Sequence, residues 1–573
     1  MKVCDYIVYY LQRKNIAAVF GYPGGMVTYL MDSFYKSKNI QTIICYHEQA
    51  AAFAACGYAS VSGNVGVGFA TSGPGATNLI TGICHAYFES LPVLFITGQV
   101  NTNESKGSMS IRQKGFQETD VVGIVKSVTK YSSYIDNAQD IKKELDRAFY
   151  HATEGRPGPV LIDIPIDIQK TEIINVKLDK FIFPKKEPLD YENIKSILIS
   201  EINQAKRPVI VAGNGINSAN VRKGFLNFVK LLNVPVLTSM IAVDLLSKEF
   251  HNNYGFIGAY GNRCANFILS QCDLIISIGS RLDIRQTGTS LKEFAKSARL
   301  IRIDVDKNEF QNKIKQDEID LYADLRDLFP LFSFDDDFVM GDKFISWIKQ
   351  CDFYFDKLNG ADKTIPNQIV QEISKFIPDD AVITTDVGQN QVWVAQSFLI
   401  KSHERVLFSG GHGAMGFSLP AAIGAYYGSK KPVYCICGDG GFQMNLQELQ
   451  TIVRERLPIK IFILNNNSLG MIRHFQEMYF DNNNSFTVNG KGYSVPDFVK
   501  ISKAYGIEAF DINKTEMLNE YKSNFFDLNP VLFNINVGNV TYVYPKLGLN
   551  KPIYDQDPPI DSDLMDALIN YVK

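Results

Sequence analysis

Two polar residues 27 positions apart carry the clearest chemistry in the chain. Asp439 lies in "CGDGG", directly after the apolar run "PVYCIC", and Asn466 lies in "LNNNS", directly after "IKIFIL". Such runs, each ending in Gly, Asn or Asp and joined through a helical segment, read as parallel strands of a βαβ unit. Neighbouring parallel strands put their C-terminal ends on one sheet edge, where open α/β folds bind ligands. Asp439 and Asn466 are therefore expected to converge. One carboxylate and one amide oxygen suit a hard octahedral cation such as Mg²⁺, leaving positions for phosphate oxygens, a backbone carbonyl and water. Gly440 and Gly441 allow backbone N–H groups to approach a diphosphate, and the helix that follows favours its negative charge.

A third candidate is Glu48, in "IICYHEQAAAFAACGYA" at 43–59. An acidic residue at a helix start can be a simple capping charge. This one, however, sits between an apolar strand-like run and an alanine-rich helical segment. An ionisable group placed where the chain turns inward usually has a task. The alanines and Gly57 beside it leave room for close helix packing.

The elements that must position these residues alternate throughout the chain. "VGVGFA", "PVLFITG", "PVLIDIP", "RPVIVAG", "LIISIG", "AVITTD", "PVYCIC" and "IKIFILN" read as strands separated by helices, too many for one sheet. The polar, Lys-rich segment 169–192 and the interrupted segment 330–365 read as boundaries. The expectation is an α/β protein of three doubly wound parallel-sheet domains: 1–168, 190–335 and 365–540. A Pro- and Asp-rich tail, 541–573, follows. No close internal repeat is visible.

With 573 residues, 46% hydrophobic and 21% charged, the chain is globular and multidomain. A net charge of −3 argues against nucleic acid as the main partner. The start, "MKVCDYIVYYLQRKNIAAVFGYPGG", reads as an amphipathic helix leading into a strand, not a signal peptide. No apolar run reaches membrane-spanning length. The nine cysteines are scattered, with neither a disulfide framework nor a zinc spacing, and read as buried thiols of a cytoplasmic protein.

The span from GDG to NN resembles the signature of thiamine diphosphate (ThDP) enzymes. The rest of the chain resembles the catalytic subunit of the acetolactate (acetohydroxyacid) synthase family. The match runs through "VFGYPGG", "YHEQAAAFAA", "TSGPGATNLITGI", "GFQETD", "GRPGPVLIDIP", "GSRLDIRQTG", "TTDVGQNQVW", "GGHGAMGFSLPAAIGA" and "LNNNSLGMIR", in that order. This resemblance implies pyrimidine-binding, central and diphosphate-binding domains. It implies a homodimer or homotetramer with active sites shared between two subunits, and leaves a regulatory subunit open. Asp439, Asn466 and the Ser468 carbonyl would hold Mg²⁺. Gly388, Gln389, Asn390, Gly440 and Gly441 would meet the diphosphate. Met415 would wedge ThDP into a bent form, and the Gly413 carbonyl would accept from its 4′-amino group. Pro23 and Met471 would complete the cofactor contacts. Glu48 would hydrogen-bond the pyrimidine N1′ and so promote removal of the thiazolium C2 proton. Gln117 would line the catalytic centre, with Met26, Phe116, Lys130, Ile472 and Phe475 around the substrate.

In the central domain, "GSRLDIRQTG", with "GAYGNRCAN" and "IRIDVD", resembles the FAD-contacting stretches of the family, with Arg281 and Arg285 meeting the cofactor. The FAD would have a structural role; a vestigial site or another nucleotide are the alternatives. Three positions depart from the family: Phe475 replaces a tryptophan, Met26 a small residue and Asn390 a histidine. The first two bear on specificity. The expected activity is decarboxylation of a 2-keto acid, with pyruvate expected, and transfer of the acyl carbanion to a second carbonyl compound. A plain decarboxylase or a C–C lyase of a specialised pathway is the alternative.

Overall fold

The computed structural model describes residues 1–173, 178–332, 340–359 and 364–571. They form three six-stranded, all-parallel sheets flanked by helices. In spatial order the first sheet is Gln41–Ile44, Ala18–Gly21, Gly66–Ala70, Val93–Gln99, Val160–Pro165 and Tyr131–Tyr134. The third repeats this arrangement with Arg405–Leu407, Val382–Thr385, Val433–Gly438, Ile459–Asn465, Val531–Asn536 and Glu508–Ile512. Val93–Gln99 and Ile459–Asn465 are buried along their whole length. Helices cover both sheet faces, so these strands read as unbroken apolar runs instead of alternating ones.

The central sheet differs. Its order is Asn253–Phe256, Val236–Thr238, Pro208–Ala212, Leu274–Ile278, Arg299–Asp304 and Ile319–Tyr322. The strand order reverses between Pro208–Ala212 and Leu274–Ile278, which are direct neighbours. That reversal opens a crevice at the C-terminal strand ends, the place where such sheets take nucleotides.

The outer domains are joined through two helices. Glu48–Ser62 of the first packs along Ser418–Ser429 of the third, and both contribute to one apolar core. Their backbones touch: a Cβ on Gly57 would overlap the Ala421 carbonyl, and one on Gly424 would overlap that of Ala54. Only small residues permit this approach, so the alanine-rich run beside Glu48 is a packing surface.

Two further pieces close on the central domain. The helix Ile345–Leu358 lies between the second and third sheets in sequence, and Trp347 Nε1 donates to the Pro208 carbonyl at 3.0 Å. The tail ends in the helix Ser562–Asn570, and Tyr571 stacks on Phe353 at 3.9 Å between centroids. The boundary segments expected at 169–192 and 330–365 lie partly outside the described residues. Among the described residues no helix is long and apolar enough to cross a membrane. All nine cysteines are free, and every one except Cys84 is buried.

Candidate active site

The third sheet brings Asp439 and Asn466 together. Val433–Gly438 and Ile459–Asn465 run parallel with Gly438 opposite Leu464, so the two chains leave the sheet side by side. Asp439 Oδ2 accepts from the Asn466 N–H at 3.1 Å, and Oδ1 accepts from the Tyr493 hydroxyl at 2.9 Å. Burial pushes the Asp439 carboxyl above its ordinary value, opposed by the Tyr493 hydroxyl and the Gly440, Asn466 and Asn467 N–H groups. A cation at this carboxylate would offset that desolvation.

The Asn466 side chain is fixed at both ends. Its Nδ2 donates to Thr541 Oγ1 at 2.8 Å and to Gln389 Oε1 at 3.1 Å, while Oδ1 accepts from the Ser468 N–H at 3.1 Å. Between them Asn467 sits at φ 52°, a left-handed turn that brings Ser468 round. The oxygens of Asp439 and Asn466, with the Ser468 carbonyl next to them in sequence, are the donor types a hard divalent cation requires. Side chains close in on Gly440 next to Asp439. A Cβ there would lie 2.7 Å from Leu469 Cδ2, 3.2 Å from the Tyr493 hydroxyl and 3.3 Å from Met415 Cε. Met415 thus stands over the glycine turn beside the metal-type corner. By donor chemistry, these residues fit a Mg²⁺–diphosphate group.

The expected diphosphate residues divide. Gly388 caps the helix Gln389–Ser397 at φ 144°, a conformation open to glycine. The Gln389 side chain is engaged at both ends: Nε2 donates to the Thr541 carbonyl at 2.9 Å, and Oε1 accepts from the Thr541 hydroxyl at 2.7 Å as well as from Asn466. Asn390 Nδ2 donates to the Asp386 carbonyl at 2.7 Å. The structure therefore gives both side chains local bracing contacts.

Asp386, just upstream, was not singled out as a site residue in the sequence. It is completely buried and accepts four hydrogen bonds. Oδ1 receives the Val387 and Gly416 N–H groups, each at 2.9 Å; Oδ2 receives the Ser418 N–H at 2.9 Å and its hydroxyl at 2.8 Å. One carboxylate thereby folds the loop that carries Gly413 (φ 71°) and Met415. Gly441 has no Cβ for the same reason: an added one would lie 2.5 Å from Asp386 Oδ1.

Glu48 begins the helix Glu48–Ser62, with His47 as cap: its Nδ1 accepts from the Gln49 N–H at 3.0 Å. The Glu48 side chain is buried. Its Oε2 accepts from Asn78 Nδ2 at 3.0 Å, and a Cβ on Gly75 would come within 3.2 Å of Oε1. Gly73, two residues earlier, lies against Gln117, where a Cβ would sit 2.9 Å from Gln117 Cβ. The loop after Gly66–Ala70 therefore brings Glu48 and Gln117 to one place. Gln117 holds φ 63°, a conformation costing about 1–3 kcal/mol for a residue with a side chain. Strain of this kind concentrates at working sites.

The remaining candidates are more scattered. Phe116 is 80% exposed, and Ile472 and Phe475 are about half exposed at 55% and 54% on the helix Gly470–Tyr479. Pro23 is exposed. Met471 packs partly buried against the core of the third domain. Met26 is half-buried, with its N–H bound to Thr71 Oγ1 at 3.1 Å. Lys130 has a bracing contact in place of an open amine: Nζ donates to the Glu154 and Arg156 carbonyls at 2.6 Å each. Burial lowers its pKa to about 8. Lys130 thus shapes the loop that delivers Arg156 to the central cavity.

That cavity, about 450 Å³, lies at the strand reversal of the central sheet. Arg281 and Arg285 of the "GSRLDIRQTG" stretch line it, and Arg156 and Arg326 join them. Arg281 pairs with Asp283 at 3.1 Å and Arg156 with Asp306 at 3.3 Å. Burial pushes the carboxyls of Asp304 and Glu89 on its wall up to about 6 and about 7. Gly215 and Gly279 bring two strand ends into backbone contact, with a Cβ at Gly215 only 2.8 Å from Gly279 Cα. A glycine cradle ringed by arginines fits a dinucleotide diphosphate, and the volume suits a cofactor-sized ligand.

Comparison with known proteins finds three family domains in the chain. Residues 1–124 match the thiamine pyrophosphate enzyme N-terminal TPP binding domain, 196–330 the central domain and 386–535 the C-terminal TPP binding domain. The acetolactate synthase large subunit of Lactococcus lactis is 36% identical over 546 residues, covering 94% of this chain and 92% of its own. The large subunit of acetolactate synthase isozyme 2 of Escherichia coli is 34% identical over 562 residues, covering 95% and 97%. That of Corynebacterium glutamicum is 36% identical over 587 residues, covering 98% and 92%. With matches spanning all three sheets, the chain belongs to the thiamine pyrophosphate enzyme family, as an enzyme of the acetolactate synthase type.

Proposed function

We propose that the protein is a Mg²⁺- and ThDP-dependent carboligase that decarboxylates pyruvate and joins the two-carbon acyl unit to a second 2-keto acid. The observation that carries this is the convergence of Asp439 and Asn466 at one sheet edge, under Gly440 and Met415. Asp439, Asn466 and the Ser468 carbonyl would hold the metal, and the backbone N–H groups of Gly440, Gly441 and Gly388 would meet the diphosphate. Met415 would support the cofactor from the Asp386-folded loop, beside the Gly413 carbonyl. Bound ThDP supplies the acidic carbon that adds to the keto group and accepts the charge left when CO₂ departs.

The chain's own groups orient and exclude water. Asn78 fixes one oxygen of Glu48, leaving the other, over Gly75, to meet the pyrimidine nitrogen. Gln117 faces the same loop and would bind the substrate's oxygens. Positioning of this sort, in a site closed to water, supplies much of the rate when the cofactor does the covalent chemistry. Phe475 and Met26 would set acceptor preference, where one methylene-sized contact is worth about 1–3 kcal/mol.

Further parts of the proposal rest on likeness to the large subunits: a homodimer or homotetramer whose sites are completed between copies, and a separate regulatory subunit. The free cysteines favour a reducing cytoplasm. The central cavity would take FAD in a structural role, and flavin released on denaturing the purified protein would test that. A colourless protein that binds no added FAD would refute it.

The test of function is the product formed from pyruvate with ThDP and Mg²⁺, identified by mass spectrometry. Acetolactate, or a hydroxyketo acid from a supplied second keto acid, is expected. Acetaldehyde without ligation would reassign the protein as a decarboxylase. Full cofactor binding with no turnover across a 2-keto acid panel would refute the proposal.

A further inference from the structure

The segment that grips Glu48 from outside its own domain is a polar strip of the third domain. Asn445, Glu448, Thr451 and Arg454 recur every third residue through Leu446–Glu448 and Leu449–Glu455, which keeps them along one side. Every one of them reaches the strand end and turn that carry Glu48. Glu448 Oε1 accepts from the Tyr46 N–H at 2.8 Å, while its Oε2 accepts from the Thr451 hydroxyl at 2.7 Å. Thr451 Oγ1 also approaches the Ile44 carbonyl at 3.3 Å, to which Arg454 donates as well. A second Arg454 nitrogen lies 3.3 Å from the Tyr46 hydroxyl. Past the carboxylate, Asn445 Nδ2 donates to Gln49 Oε1 at 3.2 Å and to the Gly416 carbonyl at 2.8 Å.

Glu48 is thus bracketed on both sides, at Tyr46 and at Gln49, by side chains about 400 positions away. Glu448 is fully buried. A buried carboxylate is expensive, and its partners here are the Tyr46 and His47 N–H groups, Thr451 and the nearby Arg454. Asn445 ties this bracket to Gly416, the neighbour of Met415. The Glu48 turn and the Met415 loop of one chain therefore share a hydrogen-bonded frame.

We propose that the strip Asn445–Glu448–Thr451–Arg454 is a positioning clamp that fixes the Glu48 turn for turnover without contributing to cofactor binding. This rests on the reading of Glu48 as the carboxylate that meets the aminopyrimidine. The strip touches the backbone and side chains flanking Glu48, never its carboxyl, so its residues act through Glu48.

The test compares Glu448→Ala, Glu448→Gln and Glu48→Gln in the full-length enzyme. Three quantities are read: kcat, the Kd for ThDP with Mg²⁺, and amide hydrogen exchange over residues 44–50. Glu448→Ala strands the Tyr46 N–H, and we expect faster exchange at 44–50, a fall in kcat of about tenfold and a Kd within twofold. Glu448→Gln still offers an oxygen to Tyr46 and an amide to the Thr451 hydroxyl, so exchange and kcat should return near wild type. Wild-type exchange in Glu448→Ala, or loss of Kd in proportion to kcat, would overturn the clamp. If Glu448→Ala does not fold, Asn445→Ala removes the Gln49 side of the bracket together with the tie to Gly416, and leaves the Tyr46 side intact. It should show faster exchange around residue 49, and unchanged exchange there would overturn the proposal. Full turnover in Glu48→Gln would refute the reading of Glu48 itself, while exchange at 44–50 would still decide whether the clamp exists.

Discussion

Replacing Asp386 by alanine is expected to weaken cofactor binding although Asp386 is assigned no contact with the cofactor. Three backbone N–H groups, of Val387, Gly416 and Ser418, and the Ser418 hydroxyl all end on this one carboxylate. A buried donor left without an acceptor costs about 1–3 kcal/mol. The hydroxyl can rotate to another partner, and one water entering the vacated volume can accept from two of the N–H groups. What remains is one N–H without an acceptor, about 1–3 kcal/mol, and it loosens the hold on the loop Gly413–Ser418. If ThDP must reorder that loop on binding, about 2 kcal/mol becomes roughly a 30-fold rise in Kd. Asp386→Asn should lie between. Its oxygen keeps one pair of donors, but its NH₂ then faces the other pair, so roughly a tenfold loss is expected. Calorimetric titration of the apo variants with ThDP at saturating Mg²⁺ reads this directly. An Asp386→Ala protein that binds within threefold of wild type would refute the idea that this carboxylate organises the Met415 loop.

Two further outcomes follow from single positions. Gly440→Ala presses a methyl group against Leu469, Tyr493 and Met415. The Leu469 side chain can shift, so thermal stability should change little while ThDP affinity falls at least about tenfold; unchanged affinity would remove Gly440 from the diphosphate path. Glu448 is expected to make stability depend on pH. Burial raises its carboxyl to about 7, against Arg454 and beside the buried Cys45 thiol, while the unfolded chain titrates near the ordinary glutamate value. Between those values the folded state holds the extra proton, so this group's contribution to stability falls as pH rises through that window and is level above it. Glu448→Gln should flatten the fall between pH 5 and 8 by up to about 3 kcal/mol in denaturant unfolding. An unaltered pH profile would contradict the assignment.

Local features were legible in the sequence, and long-range ones were not. The strand pair ending in Asp439 and Asn466 could be read because both ends follow unmistakable apolar runs and parallel strands must share an edge. The packing role of the alanines and Gly57 was likewise visible, though not their partner, Ala421. Asp386 looked like an ordinary strand-end aspartate, since its four donors include three that lie about 30 residues downstream. Thr541, which pins Gln389 and Asn466, stood at the head of what read as a surface tail. The side chains of Gln389 and Asn390 pointed by motif to the diphosphate, but the fold gives them neighbours to brace. Lys130 similarly reads from its motif as a substrate-channel cation, whereas its two carbonyl partners become visible only once the 154–156 loop folds over it. Composition and spacing report which groups are present at a strand end. They do not report which of them are consumed by hydrogen bonds from 30 or 400 positions away.

The central claim is that Glu48 activates a cofactor held at the Asp439–Asn466 corner for decarboxylation of a 2-keto acid. CO₂ release from pyruvate, measured for wild type and Glu48→Gln at saturating ThDP and Mg²⁺, tests it most directly. Wild type should release CO₂. Glu48→Gln should bind the cofactor with near-normal affinity and lose about 100-fold or more in rate, the scale of a displaced acid–base group. Equal rates in the two proteins would contradict the account.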